Sequence, residues 1–252
     1  MGKYFTVEVK PTMPTVAIGQ HADFDDGDIA FDWFGFDIPK GAAKLTGVVM
    51  EVRSAGDAGA SVQKVAMDLL FARTRKNGTI APPSLGAVNS PMSATAVGRY
   101  EIIGHVEMAA TGYAASLDGT SICTSGRTPQ DALGLVLQGE PETGTNVGYD
   151  KIYVAGILKT ALDLESLTRI NNGTLDGSVL TVNGTDPRLF LAVGDTIAAT
   201  TATDTSASTA IGEVSALAEL AITLTAATEV AVVNDDFIYN VNPIRFIFSF
   251  EK

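Results

Sequence analysis

At 252 residues the chain is long enough to bury a full core without covalent staples. Its one cysteine, Cys123, excludes an internal disulfide, and the lack of any Cys/His spacing excludes a structural zinc site. With 29 acidic against 17 basic residues, a formal charge of −12 speaks against nucleic-acid binding, which needs clustered Lys and Arg.

The opening MGKYFTVEVKP lacks the apolar run and small-residue cleavage site of a signal peptide. No later stretch is long and apolar enough to span a bilayer as a helix. The expectation is therefore a soluble chain made in a cytoplasm, with neither membrane nor nucleic acid as partner. A first strand is predicted over 4–9, with Phe5, Val7 and Val9 on its inner face. His21 follows without any ligand-like companion. DFDDGD at 23–28 then gathers four carboxylates, Asp23, Asp25, Asp26 and Asp28, around one glycine. A helix-loop-helix calcium loop counted from Asp23 needs glycine at its sixth position and glutamate at its twelfth. Asp28 and Phe34 stand there instead. The reading is a solvated turn that feeds a strand, and no metal site is expected.

Strands follow at 29–36, 44–53, 62–73, 99–109, 133–137 and 151–158, all short, rich in β-branched and aromatic residues, and parted by Gly, Pro, Asn and Asp. In 29–36, strict alternation places Phe34 and Phe36 on one face and Phe31 and Trp33 on the other, so the strand is apolar on both sides. That fits a central strand or a subunit interface better than a sugar-stacking platform. In 62–73, Val65, Met67, Leu69 and Phe71 share a face. In RYEIIGHVEM, Tyr100, Ile102, Val106 and Met108 face inward, opposite Arg99, Glu101, Ile103, His105 and Glu107.

His105 beside Glu101 and Glu107 is a candidate metal or acid–base group, but a solvated cross-strand pair explains it more simply. Cys123 in GTSICTSGRT has no nucleophile signature around it and reads as an inert thiol. The basic run Arg73-Thr74-Arg75-Lys76 reads as a solvated loop. The polar stretches 77–98 and 110–130 read as long loops, functional or covered by a partner. Asn77-Gly78, Asn172-Gly173 and Asn183-Gly184 are each predicted to form type I′ hairpin turns. No catalytic constellation, phosphate loop or cofactor fingerprint is present, so neither an enzyme nor a bound cofactor is expected.

Near residue 170 the chain changes character. VGDTI, IGEVSA, AITLT and DDFIYNV read as strands of a small barrel, with ATTATDTSASTA as a hairpin tip. The closing IRFIFSFEK puts Ile244, Phe246, Phe248 and Phe250 on one face, too large for the small module to bury. The resulting expectation is an all-β chain. Residues 1–170 plus 243–252 form a jelly-roll-like sandwich, and 171–242 form a small β-barrel inserted before the last strand.

FDIPKGAAKLTGVVMEV, an aromatic strand followed by a Pro-Lys-Gly turn and another strand, resembles the opening of jelly-roll structural proteins of tailed-bacteriophage virions. YDKIYVAGILKTALDL resembles their late strand and linker, and VGDTI through DDFIYNVNP is similar to small β-barrel insertions in phage head and tail proteins. The resemblance implies a non-enzymatic capsid decoration (cement) protein, a homotrimer seated on the major capsid protein of the virion. Tail, baseplate or head-fibre base proteins are the nearest alternative, and a carbohydrate-binding sandwich for host attachment is another. The two-sided strand FDWFGF and the low-charge loops 79–98 and 110–130 favour an oligomer on physical grounds.

Overall fold

The structure, a computed structural model, describes residues 2–13, 23–53, 64–73, 81–114, 120–126, 133–141, 149–163, 168–173, 176–200, 209–228 and 230–252. Among them the strands in chain order are β1 (Tyr4–Val9), β2 (Asp23–Phe24), β3 (Ile29–Pro39), β4 (Ala43–Arg53), β5 (Met67–Arg73), β6 (Ile102–Met108), β7 (Thr120–Ser125), β8 (Leu135–Leu137) and β9 (Glu140–Pro141). There follow β10 (Tyr149–Leu158), β11 (Leu162–Asp163), β12 (Arg169–Ile170), β13 (Val179–Asn183), β14 (Thr196–Thr200), β15 (Thr209–Ala218), β16 (Ala221–Leu224), β17 (Phe237–Asn240) and β18 (Ile244–Glu251).

Two antiparallel sheets, ordered β1-β18-β4-β7 and β3-β10-β5-β6, make a sandwich. Short β8 extends the β7 side of β4, and β9 extends the β5 side of β10. Because the chain keeps crossing between sheets and the last long strand returns beside the first, this is the jelly-roll arrangement. Strands β12-β13-β16-β15-β14-β17 close a small barrel, inserted between β10 and β18.

The position of β18 follows from its side chains. Ile244, Phe246, Phe248 and Phe250 are all fully buried, while the intervening residues are only half-buried. A face of three phenylalanines and an isoleucine needs the gap between two sheets rather than the interior of a small barrel. β18 lies between β1 and β4, pairing Val7 with Phe248 and Phe248 with Val48. Its rings cross the sandwich: Phe248 stacks on Phe36 with centroids 5.2 Å apart and meets Phe71 edge-on at 5.5 Å. Phe246 reaches Phe31 at 5.6 Å.

The pairing of Phe31 and Phe36 with the same core departs from strict alternation. β3 runs against β10 in register from Tyr149↔Pro39 to Val154↔Phe34, then slips to Gly156↔Phe31 and Ile157↔Ile29. Each slip leaves an extra residue in β3, and each reverses which face the next side chain takes. Phe31 and Phe36 therefore both join the main core, while Ile29 and half-buried Trp33 join a small outer cluster with Leu85 and Ala155. Gly156 makes room for Phe31, since a Cβ there would lie 2.4 Å from that ring.

Other expectations are corrected in the same way. The strand predicted over 62–73 begins at Met67, with 54–63 outside the described residues. Residues 97–101 form a 3-10 turn, so Tyr100 is not an inward strand residue but 74% exposed. A register slip between Phe71 and Ala72 leaves Ile103, rather than Ile102, packed against the main core. Residues 110–130 are not one loop, because β7 pairs with β4 along its whole length. The turn at Asn77-Gly78 lies outside the described residues, as do 201–208 of the expected hairpin tip. Neither remaining Asn-Gly pair makes a type I′ turn. Neither Asn has positive φ, and Asn172 instead accepts a hydrogen bond from the Thr181 amide at 2.7 Å.

The barrel core is almost wholly aliphatic: Ile170, Leu180, Val182, Ile197, Val214, Ile222, Leu224 and Ile238, with Phe190 the one aromatic. Among the described residues it shares none with the sandwich core. Its first strand, Arg169–Ile170, lies just ahead of the boundary read from the sequence. Polar bonds join the two modules: the Met13 amide donates to the Val241 carbonyl at 3.0 Å, and the Asn242 side-chain amide to the Pro11 carbonyl at 3.1 Å.

Candidate interaction surface

The acidic stretch 23–28 resolves into a turn with its own internal clamp. The Asp28 amide donates to the Asp25 carbonyl at 3.2 Å, and Gly27 between them has φ +92°. Positive φ at the third position only is the mark of a type II turn, which is why glycine stands there. The buried Asp28 carboxylate then accepts the Asp25 amide at 2.9 Å. Residues 192–195 and 233–236 repeat the device. Their closing bonds, Asp195 amide to Ala192 carbonyl and Asp236 amide to Val233 carbonyl, measure 3.1 and 3.2 Å. Their clamps, Ala192 amide to Asp195 and Val233 amide to Asp236, both measure 2.8 Å. Gly194 and Asp235 carry the positive φ. Each turn launches a strand: β3, β14 or β17. The sequence signal was available in DDGDI, VGDTI and NDDFI: an acid before the strand and a residue tolerant of positive φ before the acid.

The remaining candidates are dispersed. His105 is exposed opposite Leu70, and Glu107 opposite Asp68 accepts a hydrogen bond from Lys159 at 2.7 Å. That bond, with the Asp68 charge nearby, holds the Lys159 ammonium above the ordinary lysine range. Glu101 belongs to the 3-10 turn. His21 and Arg75 to Lys76 lie outside the described residues. Cys123 is buried, and its thiol points at the Ala109 carbonyl, 3.4 Å away. Neighbouring Tyr113 donates to the Val65 carbonyl at 2.9 Å, and burial pushes its phenol well above the ordinary tyrosine range. Among the described residues no group of three or more His, Cys, Asp or Glu is placed to hold a metal ion.

The aromatic strand β3 is covered on its outer side by the chain itself. The Trp33 indole donates to the Pro83 carbonyl at 2.9 Å, and Asp32 accepts the Leu85 amide at 3.2 Å. Leu85 and Val88 pack on Ile29, Ala155 and Trp33. Backbone bonds tie Ile29 to Ser90 and to Asn89 at 3.0 and 2.9 Å. Trp33 is thereby no open stacking platform, and the second apolar face of this strand needs no second subunit to explain it.

The outer side of the covering segment is the surface most suited to a partner. From Asn77 to Gly98 there is no charged residue. Within it Met92 and Val97 are exposed, and Tyr100 follows at once. In a 3-10 turn residues i and i+3 eclipse, so Val97 and Tyr100 share one face. Arg99 lies against the Tyr100 ring, 5.0 Å from its centroid, and donates to its hydroxyl at 3.1 Å. Close packing holds the turn in place, since a Cβ on Gly98 would fall 1.9 Å from the Pro83 carbonyl oxygen. Alternation had assigned Tyr100 to a buried face; the i, i+3 spacing after a proline-rich, charge-free run was the signal to read instead.

Comparison of the chain with protein-family models, with curated proteins and with solved structures finds no match.

Proposed function

We propose that this chain is a non-enzymatic structural subunit of a phage virion, a capsid decoration (cement) protein that binds the assembled head as a homotrimer. The observation that carries the reading is the topology: a jelly roll with a small closed barrel spliced in before its last strand, the architecture that the resemblance to virion jelly-roll proteins implies. Residues 81–98, uncharged and closing on exposed Val97 with exposed Tyr100 two residues beyond, support the associative part. On a chain of net charge −12 a neutral apolar surface is where copies approach without like-charge contact. A surface already ordered by backbone bonds also loses little entropy on binding.

Electron cryo-microscopy of purified virions tests the location. Trimeric density on the outer surface of the head is the expected result. Recovery of the chain in tail fractions alone overturns the capsid reading in favour of a tail or baseplate part. Absence from virions together with glycan binding by the isolated protein overturns the virion reading altogether. Light scattering at micromolar concentration tests association separately: a trimer is expected, and a stable monomer refutes it.

A further inference from the structure

Six charged side chains close a ring where the barrel meets the jelly roll. Asp195, at the barrel end of the second clamped turn, pairs with Arg53 from the end of β4. Arg53 Nε also reaches Glu51 at 3.1 Å, and Glu51 pairs with Arg245 of β18, its cross-strand neighbour. Arg245 lies 3.9 Å from Glu8 of β1, Glu8 is 3.5 Å from Lys10, and Lys10 is 4.0 Å from Asp195. Acid and base alternate all the way round, so the ring is neutral in a strongly acidic chain.

We infer that this ring is a latch that fixes the barrel in one orientation on the jelly roll, with Asp195 as the barrel's own bolt. The barrel supplies one charge, and the other five come from the jelly roll. The Asp195 side chain is 1% exposed, so its charge is stable there only when donors surround it. It has them: the Ala192 amide at 2.8 Å, the Asn240 amide group at 3.1 Å, and Arg53. Asn240 also donates to the Phe190 carbonyl at 3.1 Å, and so ties the bolt to β17 and the barrel core. Asp236 makes the same clamp, yet its second oxygen has no hydrogen-bond partner. The clamp alone is therefore the turn's requirement, and the ion pair at Asp195 is an addition made where the barrel faces the sandwich. Among the described residues the seam holds no shared apolar cluster to do the same work.

The test is hydrogen exchange on the full chain, read at the Met13 amide, which donates across the seam, and at Phe248 and Ile222 in the two cores. Asp195→Asn keeps an acceptor for the Ala192 amide and removes the charge; Arg53→Met removes the partner and leaves the acid buried. Exchange at the Met13 amide is expected to rise at least tenfold in both variants, and more in Arg53→Met, while the core amides keep their wild-type protection. Unchanged protection at the seam in Asp195→Asn overturns the latch. A uniform rise at seam and cores alike overturns it too, because the ring would then serve global stability only. Should Arg53→Met fail to fold, Asp195→Asn decides the matter by itself.

Discussion

The two modules solve the same problem, filling the space between β-strands, with different side chains. The jelly roll uses rings: Phe31, Phe36, Phe71, Phe246, Phe248 and Phe250 all lie in one cluster. The barrel uses Ile, Leu and Val around Phe190. Geometry explains the choice. Two facing sheets stand about 10 Å apart, a gap that paired rings bridge with specific edge and offset contacts. A closed six-stranded barrel is narrower, and branched aliphatics fill it without strain. Loss of one ring should therefore damage the sandwich more than loss of one aliphatic damages the barrel.

The largest expected effect comes from Phe248→Ala. Phe248 touches Phe36, Phe71 and Phe246, and truncation should cost about 3–5 kcal/mol in denaturant unfolding. A loss under about 1 kcal/mol would show that the ring contacts do not carry the core. Next is Leu180→Ala, buried in the barrel and paired with Ile222. About 3 kcal/mol is expected, confined to the barrel, so that calorimetry splits into an early barrel transition and an unchanged sandwich transition. A single shifted transition would mean that the two cores melt as one. Gly156→Ala sharpens the comparison from the other side by overfilling the ring core. The new methyl meets Phe31 and Met67, and about 2 kcal/mol of destabilisation is expected.

The smallest effect is electrostatic. Asp186 caps a 3-10 turn in the barrel module, and the hydrogen bond from Arg188 holds its carboxyl below the ordinary aspartate value. A lowered folded pKa contributes stability above the unfolded value and loses it as pH falls through the folded one. The melting difference between the wild type and Asp186→Asn should thus be constant from pH 7 down to about 5. It should then shrink below about pH 4. A difference that grows in acid would reverse the assignment.

What could be read from the residues was whatever a period of two reveals. Phe246, Phe248 and Phe250 placed β18 against something larger than the barrel, and VGDTI, IGEVSA, AITLT and DDFIYNV marked four of the barrel strands. Register irregularities were invisible. Nothing in FDWFGF announces the slips that bring Phe31 round to the side of Phe36. β7 is not legible because its buried residues, Ser121 and Cys123, are small and its one large apolar residue, Ile122, lies on the other face, so TSICTS has no apolar stripe. The ring at the seam was equally hidden. Glu8 and Lys10, and Glu51 and Arg53, each stand two apart and so share a face, but only the pairing of β1, β18 and β4 brings them together.

The insertion point of the barrel also bears on how the chain finds its fold. β18 must join β1, pairing Tyr4 with Glu251 across a separation of 247 residues. It must also return to the sheet after roughly 85 residues have intervened since β10, and loop closure becomes costlier as the loop lengthens. A folded barrel ties Arg169 to Phe237 and so shortens that detour to about ten residues before it and about six after it. On a logarithmic closure law the saving is about 1–2 kcal/mol, or roughly a tenfold gain in the rate at which the last strand docks. The barrel then acts as a splint during folding, its contacts made early and locally so that the last strand returns to the sandwich over a short detour.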